Sequence, residues 1–227
     1  MRSPLWSARF WSTDRSLSVL LGSLVVLIFV IPALRSRAEG TATLLVQIFF
    51  TLVLVSGLTA TAASRATRVV GTVVFAGAIA LYWLDYFDPH AGLGAWTALG
   101  RVLAVGLLTV LVLRQVFREG PITLYRIEGA VVVYLLLGFA WAGIYEMIGG
   151  IWPGAFRFSE APRNRSELAV SLAYYSFITL TTVGYGDITP MHPVARSAAI
   201  LEALTGQLFP AILIARLVAM ELAARGR

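Results

Sequence analysis

Long apolar runs separated by short polar clusters set the pattern of this chain. A bilayer core of about 30 Å takes roughly 20 apolar residues in one helix. Six runs of that order stand at 17–34, 42–64, 68–87, 95–117, 126–149 and 194–221. Arg2, Arg9 and Arg15 precede the first run as they would in a signal peptide. Its apolar stretch, "LSVLLGSLVVLIFVIPAL", outlasts the usual signal core of about 7–15 residues, so it is expected to be a retained span.

The pattern changes between the fifth and sixth runs. "GGIWPGAFRFSEAPRNRSE" has the glycines, prolines and charges of an outer loop. "LAVSLAYYSFITL" follows, too short to cross a bilayer but long enough for a helix of about three turns. Asn164 or Ser166 can cap its start, and Glu167 would lie near the positive end of its dipole. The segment is therefore expected to be a re-entrant half-helix. It runs into "TLTTVGYGD", Thr179 to Asp187, a polar and glycine-rich stretch between apolar segments. Non-helical backbone at membrane depth is tolerated where protein buries it or where it lines a watery cavity.

Composition agrees with a membrane protein: 58% of the 227 residues are hydrophobic, 13% are charged, and the mean hydropathy is +0.80. The net charge of +6 comes with no lysine at all. The arginines cluster between apolar runs instead of forming a stripe, which suits membrane topology and not nucleic-acid binding. Arg2, Arg9, Arg15, Arg65, Arg68, Arg114, Arg118, Arg126, Arg225 and Arg227 fall on one face of a six-span layout. The opposite loop "DYFDPHAG" carries Asp85 and Asp88 and no arginine, so both termini are expected in the cytoplasm. Arg35, Arg37, Arg157, Arg163 and Arg165 dissent from that assignment. Cysteine is absent, and the two histidines, His90 and His192, are far apart, so no thiolate or histidine-rich metal site is expected.

A monovalent cation crossing a low-dielectric slab needs oxygen ligands in place of its water shell, and backbone carbonyls supply them without charge. An ordinary strand alternates its carbonyl directions. A one-sided row needs dihedrals that switch hand from residue to residue, which glycine tolerates. Gly184 and Gly186 occupy alternate positions, with Val183 and Tyr185 between them to send side chains outward and hold the width. The Thr182 hydroxyl can add a layer of oxygens, and the half-helix would aim its negative end at the ion.

"TLTTVGYGD" resembles the filter signature of potassium channels, and TVGYG is itself the sequence by which such filters are commonly described. The wider stretch from "RIEGAVVVYLLLGFAWAGIYE" to "HPVARSAAILEALTGQLFPAILIARLV" resembles bacterial ion-channel proteins with two-helix pore domains and covers about half of the chain. The resemblance implies that Thr182, Val183, Gly184, Tyr185 and Gly186 coordinate K+, with Thr181, Asp187 and Tyr174 in support. Tyr174 stands where the family usually has a tryptophan bonded to the filter aspartate, here Asp187, and a phenol can donate the same bond.

Gly206 and Pro210 in the sixth run suit either a hinge and kink of a pore-lining helix or, for the glycine, plain close packing. Glu202 is an intramembrane carboxylate, read as a hydrogen-bonded brace behind the filter, with a cavity-facing cation attractor or proton sensor as the alternative. Glu128 and Glu146 near the ends of the fifth run are taken to mark interfaces, and His192 to be a solvated loop histidine beyond the filter mouth. Arg101 and Arg114 stand at opposite ends of the fourth run with an apolar interval between them, so strong voltage dependence is not expected.

These features predict an all-α membrane protein of six transmembrane helices plus a re-entrant pore helix, in the tetrameric potassium-channel pore fold. Residues 1–118 would form a four-helix peripheral bundle and 119–227 the pore domain. One filter strand cannot enclose an ion, so a homotetramer in contact with membrane lipids is implied, in a bacterial plasma membrane. A weakly selective cation channel and a non-conducting sensor or scaffold are the alternatives. No nucleophile–base pair or phosphate loop suggests an enzyme, and no cofactor beyond permeant K+ is expected. The few residues after the sixth run leave no expected place for a soluble ligand-sensing domain. The gate is expected at the filter, at the sixth helices, or under control of lipid, pH or a separate regulatory protein.

Overall fold

The computed structural model describes the backbone of residues 17–30, 33, 39–60, 65–88, 90, 92–117 and 124–225. Side chains are described for 17–30, 33, 43–56, 69–88, 90, 92–117, 124–219 and 222. The side chains of Arg2, Arg9, Arg15, Arg35, Arg37, Arg65, Arg68, Arg118, Arg225 and Arg227, and the division at 118/119, lie outside the described residues.

In chain order the helices are α1 (Leu17–Val30), ending in the π-helical turn Val26–Val30, α2 (Glu39–Ala60), α3 (Arg65–Phe87), α4 (Gly94–Val116), α5 (Leu124–Ile151), α6 (Arg165–Leu180) and α7 (Pro193–Arg225). Among the described residues, four stretches are long and apolar enough to cross a membrane: Val69–Phe87, Gly94–Val116, Leu124–Ile151 and Pro193–Ala219. The other two expected spans give shorter apolar helices, Leu17–Val30 and Thr43–Ser56. Their sequence runs, 17–34 and 42–64, extend into residues outside the described set. At a rise of 1.5 Å per residue the 16-residue α6 is about 24 Å long, short of a bilayer core.

The most extensive contact is between α4 and α5, with α5 also packing on α6 and α7. A short connection makes consecutive helices antiparallel neighbours. Small residues then set how near they come: a Cβ on Gly143 would stand 2.7 Å from Val102, and one on Gly138 would stand 2.4 Å from the Phe177 ring. The α5 helix touches partners on several sides, which is why its sequence is apolar all round.

Two cores result. The larger joins α1 through α5 around Leu24, Leu54, Phe75, Leu108, Val132 and Leu136. The smaller gathers Tyr145, Phe156, Leu172, Tyr175, Ile188 and Ala195 around the base of α6.

Two short strands depart from the all-α expectation. β1 (Phe156–Phe158) pairs antiparallel with β2 (Ile188–Pro190), in the register Phe156 with Pro190, Arg157 with Thr189 and Phe158 with Ile188. Aromatic and β-branched residues favour this geometry, and Pro190 sits at the end of the ladder, where a missing N–H does least harm. The pairing ties the residues before α6 to those that follow the glycine-rich stretch.

Candidate functional site

The site is built outward from α6. Asn164 is its N-cap: the Asn164 side chain accepts the Glu167 N–H at 2.9 Å, while a Glu167 carboxylate oxygen accepts the Arg163 N–H at 2.6 Å. Of the two caps considered from sequence, Asn164 is the one used. The exchange satisfies donors that a helix start otherwise leaves open.

At the other end, the last four carbonyls of α6 all find donors. Phe177 O accepts the Thr181 N–H at 3.0 Å and the Thr181 hydroxyl at 2.7 Å. Ile178 O accepts the N–H groups of Val183 at 2.8 Å and Gly184 at 3.1 Å, and Thr179 O accepts that of Thr182 at 2.9 Å. Leu180 O accepts the Tyr134 hydroxyl at 3.2 Å.

The consequence is directional. The N–H groups of three successive residues, 182 to 184, turn toward the end of α6. In a trans peptide the N–H and the preceding C=O point in opposite directions, and no cis bond is present among the described residues. The carbonyls of Thr181, Thr182 and Val183 therefore point away from α6 together, an arrangement that a regular strand does not allow. The backbone alternates hand to achieve it: φ is 61° at Thr182, 55° at Gly184 and 81° at Gly186. The glycines adopt this region freely, whereas Thr182 is a β-branched residue for which positive φ is uncommon. Sequence reading placed the switch on the glycines alone.

Residues Thr181 to Gly186 are all exposed in the single chain. Val183 and Tyr185, expected to pack as walls, are 50% and 73% exposed, so one chain does not supply those walls. The Thr182 hydroxyl accepts from the Gln207 side chain of α7 at 3.3 Å, a partner that sequence reading missed. Asp187 is half-buried, and its main-chain carbonyl accepts both the N–H and the hydroxyl of Ser159 at 2.9 Å. Tyr174 of α6 faces Asp187. Its phenol pKa is raised above 10, first by desolvation and then by its hydrogen bond to Asp187 and by that residue's charge.

Glu202 is fully buried behind this stretch, and its two oxygens meet the Ser176 hydroxyl of α6 and the Tyr145 hydroxyl of α5. That is the brace position and not the cavity position. Gly206 lies one turn further along α7, against the main chain of Leu180: a Cβ there would stand 1.8 Å from Leu180 O. Close packing alone is enough to require a glycine here. Pro210 is inside α7, four residues after Gly206, so it offers no N–H to the Gly206 carbonyl.

Away from this centre, Arg101 of α4 and Glu146 of α5 form a two-bond ion pair at 2.6 and 3.0 Å, with the guanidinium 5.6 Å from the Tyr82 ring centroid. Sequence reading left both near span ends. A signal was present, since Arg101 lies seven residues in from Gly94 and Glu146 five residues in from Ile151. At 1.5 Å per residue those are depths of about 10 and 8 Å from adjoining helix ends. Arg165 pairs with Asp85 at 3.1 Å. Glu128 accepts from Ser18 at 3.3 Å. The His192 ring stacks on Trp152 at 4.8 Å and its Nδ1 accepts the Val194 N–H, so it is a structured residue and not a freely solvated one.

Residues 127–222 match the protein family described as "Ion channel". Two curated relatives are both called Protein LctB, one from Bacillus caldotenax and one from Geobacillus stearothermophilus. Each is 38% identical over 84 residues, which is 37% of this chain. The chain spans 62% of the length of these relatives. No solved structure matches it significantly.

Proposed function

We propose that this chain is one subunit of a potassium-selective channel that conducts K+ passively, without strong voltage dependence. The observation that carries the reading is the one-sided carbonyl row of residues 181–183, continued by left-handed backbone at Gly184 and Gly186. Four such rows around an axis form a cage of neutral oxygens able to replace the hydration shell of a monovalent cation. The ligands are Thr182, Val183, Gly184, Tyr185 and Gly186, with Thr181, Tyr174 and Asp187 holding them.

A C4 homotetramer also gives a use to surfaces that one chain leaves bare. Val183 and Tyr185 gain neighbours, and the exposed apolar face of α7, including Ile200, Leu204, Leu208 and Ile212, meets other copies or lipid. Residues 119–227 form the pore domain and 1–118 a peripheral bundle of four helices, completing six spans with α6 as the re-entrant pore helix. Both termini lie in the cytoplasm of a bacterial plasma membrane.

The test is flux through the full chain in liposomes, K+ beside Na+, for the wild type and Gly184→Ala. Open space surrounds Gly184, so alanine meets no clash there within one chain. Its cost is the left-handed backbone alone, about 1–2 kcal/mol in each subunit. Selective K+ flux that the variant weakens or loses is the expected result. Equal K+ and Na+ rates would favour a weakly selective channel, and identical flux in both proteins would refute the carbonyl mechanism.

A further inference from the structure

Glu202 sits at a place where hydrogens can be counted. Ser176 Oγ lies 2.5 Å from a Glu202 carboxyl oxygen and 2.7 Å from the main-chain carbonyl oxygen of Gly138. Both separations are hydrogen-bond distances, well inside the contact of two bare oxygens. A serine hydroxyl has one hydrogen and the carbonyl has none. The second hydrogen has one remaining source, the carboxyl group itself.

The other carboxyl oxygen faces the Tyr145 hydroxyl, which donates to it. The full set then closes without a gap: Tyr145 donates to Glu202, Glu202 donates to Ser176, and Ser176 donates to Gly138. Electrostatics points the same way. The two ion pairs among the described residues are Arg101–Glu146 and Arg165–Asp85, so Glu202 has no cationic partner there. The ionisable groups around it are the phenols of Tyr134 and Tyr145 on α5 and Tyr175 on α6. A fully buried carboxylate with no counter-charge is costly, whereas a neutral acid that is fully hydrogen-bonded is not.

We propose that Glu202 is held as a neutral carboxylic acid, and that its proton is the link by which α7 positions the pore helix. Three helices meet at this one group: α7 supplies the acid, α6 the serine, and α5 the tyrosine and the Gly138 carbonyl. One turn beyond Ser176, α6 ends at the carbonyls that turn the N–H groups of residues 182–184. Glu202 touches no ion. It acts through Ser176, as a positioning residue. Its role in conduction rests on the channel reading above, while its protonation state does not.

Glutamine separates a neutral acid from a carboxylate. Its NH2 can donate to Ser176 as the acid O–H does, and its carbonyl can accept from Tyr145. The experiment uses the full chain in liposomes and records infrared spectra at neutral pH for the wild type and Glu202→Gln, with K+ and Na+ flux on the same samples. The expected result is a carboxylic-acid C=O band in the wild type that is lost in Glu202→Gln, with selective flux retained by Glu202→Gln and lost in Glu202→Leu. A spectrum in which Glu202→Gln removes a carboxylate band instead would overturn the proposal. So would a folded Glu202→Gln tetramer that has lost selectivity. If Glu202→Leu does not fold, Ser176→Ala takes its place, and a C=O band that fails to shift in that variant would equally refute the link. An acid band in a wild type that conducts nothing would refute the channel reading and leave the protonation state standing.

Discussion

Replacing Gly206 by alanine tests whether this glycine is a packing contact or a hinge. The new methyl carbon would lie 1.8 Å from Leu180 O, 2.8 Å from the Leu180 carbonyl carbon and 3.1 Å from its Cα. Real Cβ contacts below 3.0 Å are essentially unknown, so α7 and the end of α6 must part by about 1.2 Å, as overpacking forces backbone shifts. The obstacle is main chain and cannot swing aside as a side-chain tip would. Overpacking of this kind costs about 1–3 kcal/mol. For a chain of this size each kcal/mol lowers the unfolding midpoint by about 2–4 °C. Thermal unfolding of the purified protein in detergent reads the stability, and the K+/Na+ flux ratio reads the site. Both should fall together in Gly206→Ala, because the same carbonyl also holds the Tyr134 hydroxyl. An unchanged midpoint with altered opening would refute the packing argument and restore the hinge.

Substitutions at two further sites, the Arg101–Glu146 pair and Gly94, separate buried electrostatics from surface electrostatics. Arg101→Gln or Glu146→Gln alone should destabilise the detergent-solubilised protein by about 3–5 kcal/mol, since each leaves a mostly buried charge unpaired. An Arg101→Met and Glu146→Leu double variant should recover most of that loss, and equal damage in single and double variants would argue against the pair. Gly94→Ala should cost less than about 1 kcal/mol although its Cβ would overlap the Arg165 guanidinium, because that side-chain end can move and its exposed pair with Asp85 contributes little. A large drop in its unfolding midpoint would mean that the Arg165 contact matters more than an exposed pair should.

Sequence showed most clearly what local chemistry determines. The spans at 95–117, 126–149 and 194–221 became α4, α5 and α7 with ends moved by a few residues, since long apolar runs fix a helix and capping fixes its ends less firmly. The half-helix and its Asn164 cap followed from an apolar segment behind an N-cap signal. The burial of Glu202 against α6 was legible from its place one turn before Gly206, but its Tyr145 partner, 57 residues away, was not. The same limit hid Arg101–Glu146, separated by 45 residues, and the pairing of β1 with β2, where three-residue strands carry almost no periodic signal. The left-handed Thr182 was missed for a different reason. Residue type argues against that conformation, and only the hydrogen bonds at the end of α6 impose it.

The β1–β2 ladder carries a consequence for engineering. It joins Phe156–Phe158 to Ile188–Pro190, and the Ser159 bonds to Asp187 extend the same closure, so the segment from 156 to 190 enters and leaves the protein at one clasped point. A segment closed in this way has already met its loop-closure cost before it docks. It is a cassette: a unit whose two ends present a fixed spacing to whatever helices receive it. Transplanting it with the clasp should carry its internal geometry into another two-helix frame, while a graft cut inside the clasp, at 160 and 187, should arrive as an open loop.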